Sequence, residues 1–312
     1  MNSALWWNDF EFDKGVVTVK KTGARLPLDT GLIGEVLSWF PFYLVVESWR
    51  LKGARESAPA IWFAPDRPRP WYLIWSVLAA AGARISDSAA SADVVFYFDD
   101  STTCGAADLP EGIPVINRDC ASIEKSHVAE VFEACFGYSL AVYPRSWTGP
   151  MVVKSEKNGA HDGRIVEGPC EPEPGCVYQR VIDNRTDRGL VEDLRCPTIG
   201  GKIPLVIPKR RRIEDRFLNS NDEVSVCETD TVLSAQEQQQ LADFTRAMKL
   251  DWGGLDVLRD RADGRLYVVD VNKTDMGPPI AMSLDDKIRV TRRLAETFLE
   301  YLDTGLPFSG DQ

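Results

Sequence analysis

The pattern of hydrophobic and polar positions changes along the chain, from long apolar runs in its first half to short strands from residue 150. Between residues 58 and 101 the apolar runs are nearly continuous: APAIWFA (58–64), PWYLIWSVLAAAGARI (70–85) and ADVVFYFDDS (92–101). A short apolar run, a longer one and a second short one make a β-α-β order. Strands apolar on both faces belong to a small parallel sheet covered by helices. Residues 121–137 take helical spacing: Val128, Val131, Phe132 and Cys135 form one stripe, Ser122 is placed to cap the first turn, and Gly137 to end the last. From residue 150 the chain changes to short strands, PMVVKS, GRIVEG, CVYQRVID and LVEDLRCPTIGGKIPLVIPKRR, with loops rich in Gly, Asn, Asp and Pro between them. Helical spacing returns at 233–249 and 285–302.

Residues 1–55 are less regular. GVVTVKKTGARL reads as a short hairpin, and 29–50 mixes helical and extended signals. LIGEVLSWFPFYLVV, interrupted by Glu35 and Pro41, and WYLIWSVLAAAGA, too short to span a bilayer, are both expected in the core. The pair Trp6-Trp7 suits a hydrophobic anchor or a partner contact.

Charge narrows the function classes. The 312 residues carry 36 Lys and Arg against 47 Asp and Glu, a net charge of −11. Nucleic acid and anionic membrane both need a positive field, so neither is an expected partner. The start, MNSALWWNDFEFDKG, has no cationic region followed by an apolar stretch, so a cytoplasmic protein without a signal peptide is expected. The seven cysteines include no Cys-x-x-Cys pair and are expected as reduced thiols. With two histidines, His127 and His161, a zinc site has little support, and any metal should be one that prefers oxygen.

One segment offers such oxygens. GLDVLRDRADGRLYVVDVN (254–272) is two strands joined around Ala262-Asp263-Gly264, with Asp256 inside the first and Asp270 and Asn272 ending the second. Two registers compete. A two-residue Asp263-Gly264 turn places Asp256 opposite Val271; a three-residue turn with Gly264 left-handed places it opposite Asp270. The apolar pattern favours the second, which collects Leu255, Val257, Tyr267, Val269 and Val271 on one face. Like charges directly opposite repel unless a cation lies between them, and Mg²⁺ takes a few carboxylate oxygens and shares its other positions with phosphates. The alternative is a solvated outer face with two unremarkable aspartates.

This order of parts, over roughly 115–300, resembles the ATP-grasp superfamily, and more narrowly the branch containing glutathione synthetase and the ribosomal-protein glutamate ligases. VINRDCASIEKSHVAEVFEACFG is similar to that family's Asn…Lys helix, which makes Lys125 a phosphate contact. GPMVVKSEKNG is similar to the strand ending in the nucleotide lysine, Lys154, and KNGAHDG (157–163) sits where the family folds a mobile flap. CVYQRVID is placed like the hinge strand whose backbone pairs with adenine, with Gln179, Arg180 and Val181, and with Asp183 for the ribose. VEDLRCPTIGGKIPLVIPKRRRIEDRFLN resembles the Asp-x-Arg strand and the basic strand after it, nominating Asp193, Arg195, Arg210 and Asn219. Within Lys209-Arg210-Arg211-Arg212, alternation sends two residues to each face, and Arg210 is expected inward. The hairpin supplies Asp256, Asp270 and Asn272 as metal ligands.

The resemblance implies an α+β or α/β protein with the ATP-grasp fold. Its parts would be an N-terminal α/β domain (1–118), a central lid subdomain (119–186) and a C-terminal subdomain carrying the hairpin (187–312). It implies ATP with Mg²⁺, or Mn²⁺ in its place, and a ligase joining a carboxylate to an amine or thiol through an acyl phosphate, with Arg195 and Arg210 in catalysis. The substrates would be a small molecule or peptide with a carboxylate, plus an amine; a homo-oligomer is left open. Two alternatives stand beside it: phosphotransfer to a small molecule, and nucleotide binding without chemistry. The family often has a small residue and Pro-Gly after its Asn; here Asn272 is followed by Lys273-Thr274-Asp275-Met276-Gly277.

Overall fold

The computed structural model describes residues 9–20, 25–53, 58–105, 108–160, 162–218 and 220–304. Trp6-Trp7, His161 and Asn219 lie outside them. Strands β1 (Phe10–Asp13), β2 (Val16–Val19) and β3 (Arg25–Pro27) form an antiparallel meander, and the β2–β3 pairing is the hairpin expected from GVVTVKKTGARL.

Helix α1 (Thr30–Leu51) corrects the mixed reading of 29–50. It is one 22-residue helix that runs through Pro41, with the Asp29 carboxylate accepting from Leu32 N at 2.9 Å as its cap. A proline removes one helical hydrogen bond. The second half is held instead by aromatic packing: Trp39 stacks on Tyr43 at 5.0 Å, and Tyr43 on Trp75 at 5.9 Å. The expectation that this segment lies in the core holds for one face only. Phe42 and Val46 are buried, whereas Ile33, Leu37, Phe40 and Leu44 on the far side are exposed, because no element among the described residues packs there.

The β-α-β segment folds as read. Strands β4 (Ala60–Pro65), β5 (Arg84–Ile85), β6 (Val94–Phe98) and β7 (Val115–Ile116) pair in parallel in the order β5-β4-β6-β7, and helix α2 (Leu73–Ala81) covers them. Helix α3 (Lys125–Phe136) starts later than expected. Glu124 is its N-cap, while the Ser122 hydroxyl accepts from Glu124 N at 3.2 Å in a turn just before it. Gly137 ends the helix with φ +77°.

Two antiparallel sheets follow. Strands β8 (Gly149–Ser155), β9 (Arg164–Gly168) and β10 (Cys176–Arg180) form a small sheet ordered β10-β8-β9. Strands β11 (Leu190–Ile199), β12 (Ile207–Arg212), β13 (Glu223–Val224), β14 (Trp252–Arg259) and β15 (Leu266–Asn272) form a larger one ordered β13-β12-β11-β14-β15. Helices α4 (Thr229–Val232) and α5 (Ala235–Ala247) precede β14, and α6 (Leu284–Asp303) closes the described chain.

Two cores result. One joins the parallel sheet, α2 and α6 to Ile199, Ile207 and Trp252 at one end of the large sheet. The other packs α3 and α5 with Leu194, Cys196, Leu255, Val257 and Val271. No helix among the described residues is long and apolar enough to cross a membrane. All seven cysteines are free thiols.

Candidate active site

Strand alternation gives the large sheet two faces of different character. Partners across antiparallel strands share a face. Arg195 pairs with Asp256, Asp193 with Lys209, Val191 with Arg211, Asp256 with Asp270, and Gly254 with Asn272. All these polar residues therefore project from one face. Leu194, Cys196, Leu255, Val257 and Val271 project from the other, into the α3/α5 core.

The register at Asp256 agrees with the three-residue-turn expectation, but the loop that produces it differs. Asp260 N donates to Arg265 O at 2.9 Å and Gly264 N to Asp260 O at 2.8 Å, which leaves residues 261–264 as a four-residue loop. That loop pairs Val257 with Val268 and Leu258 with Tyr267. A bulge at Val269 then restores Asp256 opposite Asp270. Consequently Leu266 and Val268 lie on the Val257 face, and Tyr267 lies on the Asp256 face.

The two facing aspartates have opposite environments. Asp256 receives Arg195 Nη1 and Lys209 Nζ, each at 2.9 Å. Burial opposes its charge, but these two cations outweigh burial and hold its carboxyl well below the usual range. For Asp270 burial wins: its carboxyl is pushed up, against Lys125 and Lys154, with the Asp256 charge adding to the effect. Asp270 Oδ1 is buried with no hydrogen-bond partner. A buried orphan acceptor costs roughly 1–3 kcal/mol, and more when charged.

Arg195 also pairs with Asp275, whose side chain is 1% exposed. Gly254 makes room for this pair. A Cβ there would stand 2.9 Å from Arg195 Nε and would overlap the Asp275 carboxylate. Asp193 pairs with Arg211 at 2.6 Å, and burial nonetheless raises its carboxyl.

The small sheet faces this surface with a matching one. Val177 pairs with Lys154 and Gln179 with Val152, so Lys154, Val152 and Gln179 share a face. Burial lowers the Lys154 ammonium, opposed chiefly by Asp270. Gln179 Nε2 is a second buried polar atom without a partner. The loop after β8 ties the parts together. Lys125 Nζ donates to Lys157 O at 3.0 Å, and Ser126 N, in the first turn of α3, to Glu156 Oε2 at 3.1 Å. Asn158 N donates to Thr102 Oγ1 at 2.9 Å, and its Nδ2 to Asn272 Oδ1 at 3.3 Å.

Two sheets thus hold a cationic cleft between them, with orphaned polar atoms on both walls. The complex of the ATP-grasp ligase PsnB with a phosphomimetic variant of its minimal precursor, Mg and ADP superposes with a TM-score of 0.51 at 14% identity, covering 78% of this chain and 97% of that one. The chain has the ATP-grasp fold. PsnB with its minimal precursor superposes with a TM-score of 0.50 at 14% identity, covering 78% and 99%. PsnB with minimal precursor, Mg and ADP does so with a TM-score of 0.50 at 13% identity, covering 78% and 98%. No protein-family model and no curated protein sequence matches the chain.

On this ATP-grasp scaffold, Lys125, Lys154, Arg195, Asp256, Asp270, Asn272 and Gln179 converge on the cleft. Arg210 does not. It lies on the opposite sheet face, paired with Glu192 at 2.6 Å, while Lys209 and Arg211 point into the cleft. The reason is a slip of one residue in the turn: Ile199 bridges Lys202, but Arg195 pairs with Ile207, and one residue of slip exchanges the faces of β12. Arg180 alternates to the face opposite Gln179, but its guanidinium, over Trp147 at 5.7 Å, reaches across to donate to Tyr267 Oη at 3.4 Å, and its backbone N donates to Leu140 O at 3.0 Å. Val181 follows directly after β10. Asp183 is held by two 2.7 Å bonds from Arg185, which lower its carboxyl to about 2. Lys209, Arg211 and Asp275 are the cleft residues that pattern reading missed.

A divalent cation fits part of the expected set. Asp270 offers an orphaned oxygen and Asn272 a weakly engaged one, whereas both oxygens of Asp256 already face cations. Among the described residues no group of three or more His, Cys, Asp or Glu could hold a metal. A site here would take its oxygens from two aspartates and an amide.

Proposed function

We propose that the protein is an ATP-dependent ligase that joins a carboxylate to an amine and forms ADP. The observation that carries this reading is the pair of facing walls: Asp270 with an orphaned carboxylate oxygen on one, Lys154 and an orphaned Gln179 amide on the other. ATP would lie between them, with Gln179 toward the base and Lys125, Lys154 and Arg195 toward the phosphates. Asp270 and Asn272, with Asp256 behind them, would hold Mg²⁺ or Mn²⁺, which would supply positive charge to the phosphate oxygens. Arg195 and Lys209 keep Asp256 ionised, and Asp275 fixes the Arg195 fork. The substrate carboxylate oxygen attacks the γ-phosphorus while the bond to the β-phosphate oxygen breaks and ADP leaves. The amine then adds to the acyl carbon and expels phosphate, losing a proton. This chain's part is positioning and fixed charge. The 155–159 segment, bonded to α3, Asn272 and Thr102, excludes water from the acyl phosphate.

The test is ADP release from ATP and Mg²⁺ with pooled carboxylates and amines, using Asp270→Asn as the blank. Release of ADP and phosphate that needs both substrates is the expected result. A stable phosphorylated product without free phosphate would instead make the enzyme a phosphotransferase, and no turnover with any pool would leave a binding protein.

A further inference from the structure

A cavity of about 410 Å³ opens beside the nucleotide cleft, lined by Tyr97, Cys104, Leu109, Arg118, Asp119 and Ala121. It lies beyond the C-terminal ends of β6 and β7, where open parallel sheets bind ligands. Its walls are tied together: Cys104 N donates to Ala121 O at 2.7 Å and Ile123 N to Thr102 O at 2.9 Å.

Arg118 Nε is buried with no hydrogen-bond partner. Lys273, 2% exposed, brings its ammonium against the Cys104 thiol. Among the described residues, neither Lys273 nor Arg118 has a carboxylate within ion-pair distance. Asp119 also lines the cavity, but it is exposed to water. Asp99 lies in the field of Lys273 but already accepts from Ser101 N and Oγ at 2.8 and 2.6 Å. The unsatisfied buried donor therefore sets the sign of the ligand: it must bring an acceptor, and the neighbouring cation favours an anionic one.

Hydrogen bonds tie the cavity wall to the cleft. Thr102, two residues before Cys104, accepts from Asn158, which donates to Asn272, the residue before Lys273. We propose that this cavity anchors a carboxylate of the acceptor substrate, one that does not itself react, on Arg118, and so directs the reacting group toward Asn272 and Asp270. The substrate class is an amino acid or a peptide with an acidic group. The acceptor role rests on the ligase reading; the preference of the cavity for carboxylates does not.

Cys104, half-buried in the wall, reports on the cavity. Alkylation by iodoacetate and by iodoacetamide, followed by peptide mapping, compares Cys104 with Cys170 and Cys176 in the same sample. Cys104 should show an iodoacetate-to-iodoacetamide ratio about ten-fold above those two, since a local positive field concentrates anions by that order. Arg118→Gln should lower the ratio at least about three-fold toward theirs, the Lys273 ammonium accounting for what remains, and Arg118→Lys should keep most of it. In the unmodified sequence glutarate should slow the iodoacetate reaction at Cys104, and the neutral isostere glutaramide should not. A ratio equal to the controls, a ratio indifferent to Arg118→Gln, or equal slowing by both additives would overturn the proposal. Calorimetry of Mg·ADP on the same samples separates the two readings. No Mg·ADP binding by the unmodified protein would refute the ligase while leaving the carboxylate preference measurable.

Discussion

Two aspartates face each other across β14 and β15, and the protein treats them in opposite ways. Asp256 is saturated with positive charge, and its carboxyl lies below the ordinary range; Asp270 keeps a bare buried oxygen, and its carboxyl lies above it. A purely structural pair would share the available cations. Uneven distribution leaves one carboxylate unsatisfied, which costs stability and suits a site completed by a ligand. The same contrast separates the two faces of the sheet: Leu194, Leu255 and Val257 pack densely on one, while charged groups crowd the other.

The largest expected effect follows from Asp270. Asp270→Asn should lower amine-dependent ADP release by at least about 100-fold, the scale of losing one preorganised electrostatic group. Its melting temperature should equal or exceed that of the unmodified protein, because a buried charge without a hydrogen bond has been removed. A large drop in melting temperature would make Asp270 structural and erase the contrast with Asp256.

Next come the two basic neighbours on β12. Lys209→Met should cost about 10- to 100-fold in turnover by freeing an Asp256 oxygen, as loss of a supporting partner does. Arg210→Met, on the opposite face, should leave turnover within about two-fold, as surface changes away from a site do. Equal losses would contradict the assignment of faces.

Gly254→Ala should destabilise the fold by about 1–3 kcal/mol in chemical denaturation, because the added methyl overlaps the Arg195–Asp275 pair.

The smallest expected effect lies away from the cleft. Glu237 closes a capping box with Ser234 on α5 and receives Arg259 Nη1. Burial opposes its charge, but Arg259 and Ser234 outweigh burial and lower its carboxyl. The folded protein therefore holds that proton less tightly than the unfolded chain. The stabilisation is complete above the ordinary value of 4.5 and is lost as pH falls through the lower folded value. Glu237→Gln keeps the capping box but loses the Arg259 ion pair, and should cost about 0.5 kcal/mol at pH 7. The difference should fade below pH 4.5, which denaturation at several pH values can follow.

Much of this was legible in residue pattern. The β-α-β segment, α3, α5, α6 and the order of the later strands follow from apolar period and glycine placement. Asp256 opposite Asp270 was also reached, though through a three-residue turn where the chain uses a four-residue loop and a bulge. Those two departures cancel at Asp256, and alternation cannot distinguish them. Three features were out of reach for physical reasons. The face of Arg210 depended on a one-residue slip near Lys202. Helix α1 carries apolar residues all round, so its period is blurred and only tertiary contact decides which side is buried. Asp275 follows the strand in an irregular segment, where its burial depends on Leu73 N donating to its carbonyl at 2.9 Å.

Calorimetric titration with ADP in the presence and absence of Mg²⁺, on the unmodified protein, Asp270→Asn and Arg210→Met, tests the central claim most directly. The account predicts Mg²⁺-dependent binding that Asp270→Asn weakens by more than about ten-fold, as loss of a charged hydrogen-bonding partner does, and that Arg210→Met leaves unchanged. Binding indifferent to Asp270→Asn, or no binding of Mg·ADP at all, would contradict it.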